Sequence, residues 1–579
     1  MLNDRQIKLV IGSLLHDIGK VVYRSGDGRN HSVCGYDFLK NQAKIEDAEI
    51  LGCIKYHHGK YLNNAGLEDN DIAYITYYAD NVAAFTDRRE AANQEEGFDK
   101  SVPLDSVFNI LNGNCGKSHY AMQVLNPKEA INYPTEEKVS MDEHFYKTVV
   151  NNIINNLLGI KMDEEYVNSL LSVLEANLSY IPSSTSKREL ADISLFDHVK
   201  ITAAVASCVE QWLKEQGEIN YREVLFQNSK TSYDREMFLL YSMDISGIQS
   251  FIYSISDKGA LKGLRARSFY LEIMMENVID ELLEKLSLSR ANLIYTGGGH
   301  CYMLLPNTSE VLHTLENYER DVNQWLLETF DISLYIACGY AVASANNLRN
   351  IPEGSYSGLY QNISKMLSKK KSHRYSTEII QYLNNRKHNG ERECNVCRRV
   401  AKVNEEGRCS ICESLEHMGR DMLYGDYFVV LCEKQEYGLP LPGKRYLVVQ
   451  TEKNIKETMQ KESYVRCYTK NDFYTGKLVT TKLWVGDYVA KEANTFGELA
   501  EKSRGIDRIA VLRADVDNLG TSFVYGFKRD KDESYVTLSR TAALSRQLSL
   551  FFKGYINKIL TQGSKSVFAE VGPRNVVIV

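Results

Sequence analysis

Near the start of the chain, a set of residues in fixed order suits one kind of chemistry. His16 and Asp17 stand side by side in Leu15-His16-Asp17-Ile18-Gly19-Lys20, followed by His31, by His57 with His58, and by Asp80 in Tyr77-Tyr78-Ala79-Asp80-Asn81. Imidazole nitrogens mixed with carboxylate oxygens suit Mn, Fe, Ni or Zn, and leave open positions for water that the metal makes nucleophilic near neutral pH. Phosphodiester hydrolysis uses such a centre. A lone His-Asp pair more often marks a helix end with a satisfied histidine, but the ordered set is far more specific. His58 reads as a ligand or as the neighbour of one. The later pair Asp197-His198 repeats the letters within linking helices and reads as structural.

A second constellation is Cys394-x2-Cys397-x11-Cys409-x2-Cys412. Four thiolates at this spacing in a reducing compartment argue for tetrahedral zinc, and with every position filled by protein the role is structural. Of the 12 cysteines, Cys34, Cys53, Cys208 and Cys338 stand singly in apolar surroundings and read as buried thiols.

A third signal is a repeat. Met243-Asp244-Ile245-Ser246-Gly247-Ile248-Gln249, then Leu264-Arg265-Ala266-Arg267-Ser268, then Asn292-Leu293-Ile294-Tyr295-Thr296-Gly297-Gly298-Gly299-His300 are echoed in the same order further on. The echo is Ala514-Asp515-Val516-Asp517-Asn518-Leu519-Gly520, then Leu538-Ser539-Arg540-Thr541, then Asn575 to Val579. An apolar strand ending in a carboxylate, a helix, and a strand with a Gly-rich tip at Gly297-Gly298 look like the palm of polymerases and nucleotide cyclases. There, carboxylates hold divalent metals on a triphosphate. Gly299-His300 replaces acids in the first copy, which reads as degenerate, whereas Asp515 and Asp517 survive in the second. The plain alternative is a strand-to-helix turn with Asp517 or Asn518 as N-cap.

The elements that must position these groups are legible in outline. Ile7, Val10, Ile11, Leu14 and Leu15 recur at helical spacing and deliver the His-Asp pair at a helix end. Helices are expected over 145–158 and 198–213, and strands over 426–431, 446–450 and 483–488 leading into the second palm. Two basic runs, Lys258, Lys262, Arg265, Arg267 and Lys365, Lys369, Lys370, Lys371, His373, Arg374, read as solvated helix faces or as contacts to triphosphate or RNA backbone. At 579 residues the chain exceeds one core. The expected units are 1–110 (HD nuclease), 111–225 (helical linker), 226–380 (first palm), 381–424 (zinc segment) and 425–579 (second palm). A net charge of −6 excludes a uniformly basic nucleic-acid coat, and the absence of a signal peptide or long apolar run predicts a cytoplasmic, non-membrane protein.

Taken in order, the HD set, the two palms and the four-cysteine knuckle resemble the large subunit of type III-A CRISPR (Csm) effector complexes. The resemblance implies an α/β multidomain fold: a helical, permuted HD domain, two ferredoxin-like palms and a zinc insertion between them. It implies a single-stranded DNA nuclease activated by target RNA, with catalytic His16 and Asp17 and a divalent metal (Mn, Ni or Mg) held by His16, Asp17, His31, His57 and Asp80. It also implies ATP and Mg at the palms, near Asp244, Gly297, Gly298, Gly299, Asp515, Val516 and Asp517, with cyclic oligoadenylates as products. Expected partners are crRNA, target RNA and the other Csm subunits. The family's Gly-Gly-Asp-Asp hairpin lies beyond Val579, so oligoadenylate synthesis is expected to be poor in this chain, which reads as truncated. Two other functions are a non-catalytic scaffold capping the 5′ end of the guide RNA, and a free-standing HD phosphodiesterase fused to a cyclase.

Overall fold

Apolar residues at helical spacing and polar caps define the first bundle. The Asn3 side chain accepts from the Gln6 backbone N–H while the Gln6 side chain accepts from that of Asn3, and α1 (Asp4–Leu15) starts there with Leu9, Val10, Ile11, Leu14 and Leu15 buried. The bundle continues with α2 (Gly19–Arg24), α3 (His31–Asp37), α4 (Ala48–Tyr56), α5 (Gly59–Leu62) and α6 (Ile72–Asp87), with Asp47 and Asp71 capping α4 and α6. Next come α7 (Glu143–Leu157), α8 (Glu164–Leu178) and α9 (Leu195–Glu215), capped by Asp142, Asp163 and Ser194. Both helices expected in this stretch form. α9 starts earlier than expected because Ser194 accepts from the Asp197 backbone N–H, and it packs against α1 and α6. The structure is a computed structural model that describes residues 2–89, 96–126, 131–256, 259–375, 377–387, 389–472, 480–486, 488–489, 495–503, 505–512, 516–529, 532–562, 564–566 and 569–571.

After α10 (Ser229–Ser232) the chain builds a sheet from β1 (Phe238–Ser246), β2 (Leu293–Gly297), β3 (His300–Pro306) and β4 (Tyr335–Ala343). Between them lie α11 (Ile248–Ile252), α12 (Ala260–Lys285) and α13 (Ser309–Phe330). The order β2-β3-β1-β4, antiparallel throughout, is that of a ferredoxin-like palm. Alternation along β1 sends Phe238 and Leu240 into the core shared with the N-terminal helices, and Leu239, Tyr241, Met243 and Ile245 into a second core on the other face. Gly297 pairs with His300, so the hairpin tip is Gly298-Gly299, with φ of +61° and +78°, one residue later than the sequence suggests.

Beyond the sheet come α14 (Ala345–Leu348), α15 (Ser355–Ser372) and α16 (Thr377–Asn385). The short strands β5 (Arg392–Glu393) and β6 (Val400–Ala401) and helix α17 (Ser410–Asp421) then frame the four cysteines. The strands expected to lead into the second palm make a sheet of their own, order β11-β10-β7-β9-β8. It comprises β7 (Tyr427–Leu431), β8 (Leu439–Leu441), β9 (Arg445–Gln450), β10 (Tyr464–Lys470) and β11 (Thr481–Leu483), with α18 (Glu452–Thr458) between β9 and β10. Phe428 meets Phe269 of α12 edge to face at 4.6 Å, so this sheet completes the core behind the first palm. The third expected strand is shorter and earlier than 483–488. After α19 (Phe496–Glu501), the helices α20 (Leu519–Tyr525) and α21 (Leu538–Ser549) return to the N-terminal core through Phe523, Leu538 and Leu544. No helix among the described residues is long and apolar enough to cross a membrane.

Candidate metal centre

The helix ends deliver the predicted ligands to one place. His16 and Asp17 follow α1, His31 opens α3, His57 caps α4, and Asp80 lies inside α6. Gly19 permits this approach: a Cβ there would lie 1.8 Å from the His31 carbonyl oxygen, so only glycine lets α3 sit against the turn that carries Asp17. The side chains form two groups, each with its ligand atoms within 4.8 Å of one another: His16, Asp17, Asp80 and His198, and beside them His31, His57 and His58.

Asp17 joins the two. Its Oδ2 lies 3.5 Å from His16 Nε2 and 3.2 Å from His198 Nε2, while its Oδ1 lies 3.6 Å from the Nε2 atoms of both His31 and His57. Asp80 Oδ1 faces His16 Nε2 at 3.5 Å and His198 Nε2 at 3.2 Å. The ring orientations are fixed from behind. His16 Nδ1 donates to the Ser13 carbonyl and His57 Nδ1 to the Ile54 carbonyl, each at 2.7 Å, and His198 Nδ1 meets Asp87 Oδ2 at 2.7 Å. The two carbonyl contacts place a proton on Nδ1 of His16 and His57, and all three contacts turn Nε2 inward, the atom a metal would take.

Burial makes the arrangement informative. His16 and His57 are fully buried, and Asp17 and His198 are each 2% exposed, yet His16 Nε2, Asp17 Oδ1 and His198 Nε2 have no hydrogen-bond partner. Buried polar atoms left without partners cost stability unless something else satisfies them, and two groups of nitrogen and oxygen donors converging on shared points fit divalent cations. Although burial opposes it, Lys20, His16, His198 and His31 hold the Asp17 carboxyl well below its ordinary range; burial also opposes ionisation of Asp80, which His16 and His198 depress likewise. Burial pushes His31 down to about 4 and lowers His57 and His58, leaving these imidazoles neutral. His198 goes the other way: burial disfavours its charged form, but Asp87, Asp17 and Asp80 raise its pKa well above the ordinary value.

His198 therefore corrects the sequence reading. The pair Asp197-His198 was expected to be structural, and only Asp197 is: its carboxylate receives Arg546 at 2.9 and 2.7 Å. His198 points from the other side of α9 into the centre.

Three family descriptions match the chain: "HD domain" over residues 1–84, "Csm1 subunit domain B" over 237–387, and "Cas10/Cmr2, second palm domain" over 508–572. A Cas10/Csm1 single-strand-specific deoxyribonuclease of subtype III-A from Enterococcus italicus is 40% identical over 98% of this chain and 77% of its own length. Its counterpart from Mycobacterium tuberculosis is 39% identical over 97% of this chain and 74% of its length. The chain belongs to the Cas10/Csm1 family. Among solved structures, a Csm1-Csm4 subcomplex of the type III-A interference complex superposes with a TM-score of 0.72 at 25% identity, covering 98% of this chain and 72% of that one. A Csm1-Csm4 cassette holding one ATP superposes at 0.71 with 25% identity, covering 96% of this chain and 70% of that one.

The other predicted sites of this Cas10/Csm1 chain are built differently. In the first palm, Asp244 Oδ2 is met by Lys371 Nζ at 2.6 Å and His300 Nδ1 at 3.2 Å, and His300 Nε2 lies 2.9 Å from Ser242 Oγ. A protein ammonium thus stands at the carboxylate where a metal would be sought. Burial opposes its ionisation, but His300 and Lys371 hold this carboxyl below its ordinary value. Gly299 is held close by its surroundings, since a Cβ would meet Ile248 Cδ1 at 2.4 Å. In the second palm Asp515 lies outside the described residues. Val516 and the exposed Asp517 lead into a turn where Asn518, at φ +54°, occupies the N-cap position of α20 without a side-chain cap bond.

The four cysteines do converge. Cys397 and Cys409 sulfurs lie 3.8 Å apart, and the Cys409 backbone N–H points at Cys394 Sγ at 3.3 Å. Arg267 Nη2 donates to Cys412 Sγ at 3.1 Å, which suits a thiolate and fits the site to a zinc ion. Arg265 and Arg267 are buried, so this run is no solvated face; Lys258 lies outside the described residues. On α15 Lys365 and Lys369 remain exposed, as do His373 and Arg374 just past its end, while Lys370 and Lys371 pair with Glu319 and Asp244.

Proposed function

We propose that this chain is the large subunit of a crRNA-guided type III-A effector complex in the cytoplasm, and that its HD domain hydrolyses single-stranded DNA at a two-metal centre. The observation that carries this reading is the Asp17 carboxylate, which presents Oδ2 to His16 and His198, whose Nε2 atoms have no hydrogen-bond partner, and the unpartnered Oδ1 to His31 and His57, whose Nε2 atoms converge at 3.3 Å with His58 beside them. His16, Asp80, His198 and Asp17 Oδ2 would hold one ion, and His31, His57, His58 and Asp17 Oδ1 the other. Mn²⁺ or a similar divalent ion, when bound, supplies an activated water near neutral pH and a clamp on phosphate oxygens. The protein holds His31, His57 and His58 neutral, orients His16 and His57 through their Nδ1 contacts to backbone carbonyls, and excludes solvent from the back of the site. Partly exposed His31 and His58 mark the open side, and Lys20, 2.5 Å from Asp17, adds positive charge for a phosphodiester.

The palms would bind ATP with Mg²⁺ through the Gly298-Gly299 hairpin of the first and Asp515, Val516 and Asp517 of the second, as the ATP-bound and cyclic-oligoadenylate-bound Csm1-Csm4 structures suggest by similarity. Guide RNA, target RNA and the other Csm subunits would be the partners.

The test is cleavage of labelled single-stranded DNA with Mn²⁺, by the chain alone and assembled with guide RNA and partner subunits, with and without complementary RNA. Cleavage that needs metal and rises with target RNA is expected. A folded assembly that never cleaves would leave a scaffold.

A further inference from the structure

The nuclease centre does not end at its own domain. His198 is oriented by Asp87 at the end of α6, and a carboxylate has two oxygens: Oδ2 takes the imidazole, and Oδ1 accepts a 2.5 Å hydrogen bond from Ser539 Oγ on α21. Ser539 lies in the segment that matches the second palm, far along the chain from the HD domain. The surrounding bonds tie the same helix start to the same helix end, since Thr537 Oγ1 donates to the Thr86 carbonyl at 2.8 Å and Thr86 Oγ1 lies 2.5 Å from Ser539 Oγ. All of these groups are buried: Thr86, Thr537 and Ser539 are fully covered, and Asp87 is 4% exposed.

The same helix continues the grip. Arg540, fully buried, forms a paired contact with Asp192 at 2.9 and 3.0 Å, and Arg546 holds Asp197, the neighbour of His198. In the other direction Thr541 Oγ1 accepts from Tyr356 of α15 at 3.2 Å, which ties α21 to the first palm.

We infer that Ser539 is a positioning residue for the HD metal centre, acting through Asp87 on His198, so that the seating of the second palm's helix sets how well that centre holds its metal. The inference rests on the HD reading above. A buried carboxylate with one oxygen unsatisfied reorients to find a partner, and the imidazole it holds turns with it. Partners behind a metal-ligating histidine affect affinity about 10- to 100-fold when removed. Loss of one hydroxyl, with Asp87 itself retained, is expected at the lower end, about 10-fold.

The experiment uses the full chain, stripped with chelator and titrated with Mn²⁺ by calorimetry, with single-stranded DNA cleavage as a second readout. Ser539→Ala should weaken Mn²⁺ binding about 10-fold, and Asp87→Asn, which keeps the shape, at least as much. Ser539→Ala added to Asp87→Asn should cost nothing further, because the hydroxyl acts only through the carboxylate. Ser207→Ala removes a buried hydroxyl that bonds only the Ala203 carbonyl of its own helix, and it should leave affinity unchanged. Unaltered Mn²⁺ binding in Ser539→Ala overturns the inference, and so does a full additional loss in the Asp87→Asn background. If His16→Ala with Asp17→Ala leaves Mn²⁺ binding intact, the HD reading itself fails, an outcome distinct from either.

Discussion

The HD centre and the first palm each set a carboxylate beside histidine, Asp17 fully enclosed and Asp244 partly exposed, yet they have settled the charge in opposite ways. Around Asp17, His16 and His57 turn Nδ1 outward to backbone carbonyls and His198 turns Nδ1 to Asp87, leaving their Nε2 atoms and an unpartnered Asp17 oxygen facing inward. Around Asp244 a lysine ammonium and His300 face the carboxylate directly. A buried carboxylate oxygen left without a partner among inward-facing nitrogens has room for a cation from outside; a carboxylate that has drawn in Lys371 already has its cation on the chain. The difference between the two carboxylates thus lies in what faces them: inward-turned imidazole nitrogens at Asp17, a chain ammonium at Asp244.

The comparison breaks most sharply if the first region proves indifferent to its ligands. His16→Ala with Asp17→Ala should reduce Mn²⁺-dependent cleavage of single-stranded DNA to background while the protein still assembles, as gel filtration with partner subunits would show. Undiminished cleavage would discard the HD centre and with it the contrast. A geometric version of the same test is Gly19→Ala. The added methyl has no room against the His31 backbone, so α3 must move; a stability loss of about 1–3 kcal/mol by urea unfolding is expected, together with weaker Mn²⁺ binding. A protein that accepted the methyl without loss would show that α3 is not held where His31 needs it.

Much of this centre was readable from sequence, and the missing part is instructive. His16, Asp17, His31, His57 and Asp80 lie in local patterns, a helix end, a helix start and an apolar helix, that reveal themselves within a few residues. His198 does not, because its partners are distant in sequence and its neighbour Asp197 copies the His-Asp spelling while turning to Arg546 instead. The available signal was a histidine at the head of the largely apolar helical stretch 199–209, where an unpaired imidazole would be costly. Asp87 and Ser539 carried no signal at all, since a helix-terminal aspartate and a helix-opening serine are ordinary. Likewise β7 and β9 are short strands whose existence sequence suggests, whereas their membership in a separate sheet with β10, which sequence did not mark, depends on long-range pairing. The basic run at Arg265 and Arg267 misled for the same reason: nothing local says that Cys412 waits for Arg267.

Acid sharpens the contrast further. His31 is pushed down to about 4, and His57 and His58 are also lowered, so in the metal-free chain these rings favour the folded state only while neutral. Their contribution is fully present above the unfolded histidine value of about 6.5, and is lost as pH falls from there toward about 4. His198, shifted upward, has the opposite sign: its contribution is fully present below about 6.5 and falls as pH rises from there toward its folded value, so between pH 7 and 5 this one ring offsets part of the loss from the other three. The depressed carboxyls of Asp17, Asp80 and Asp244 contribute above about 3.8 and give way only in stronger acid. Hydrogen exchange on the chelated chain between pH 7 and 5 should show protection falling around α3 and α4 before β1 and β3. Equal loss in both regions would remove the distinction between them.

The smallest expected effect belongs to the palm. Asp244→Asn breaks the pair with Lys371, whose side chain is about one-third exposed, so water can solvate the released ammonium. The loss should stay below about 1 kcal/mol by urea unfolding, the scale of a partly exposed ion pair, because neither partner is stranded in a dry interior. His300 keeps Ser242 as a partner on its other nitrogen, which limits the rearrangement. A loss of several kcal/mol would mean that the carboxylate sits in a network as tightly enclosed as that of Asp17. The first palm would then hold its carboxylate by the same buried logic as the nuclease, with Lys371 as an obligatory part of the core.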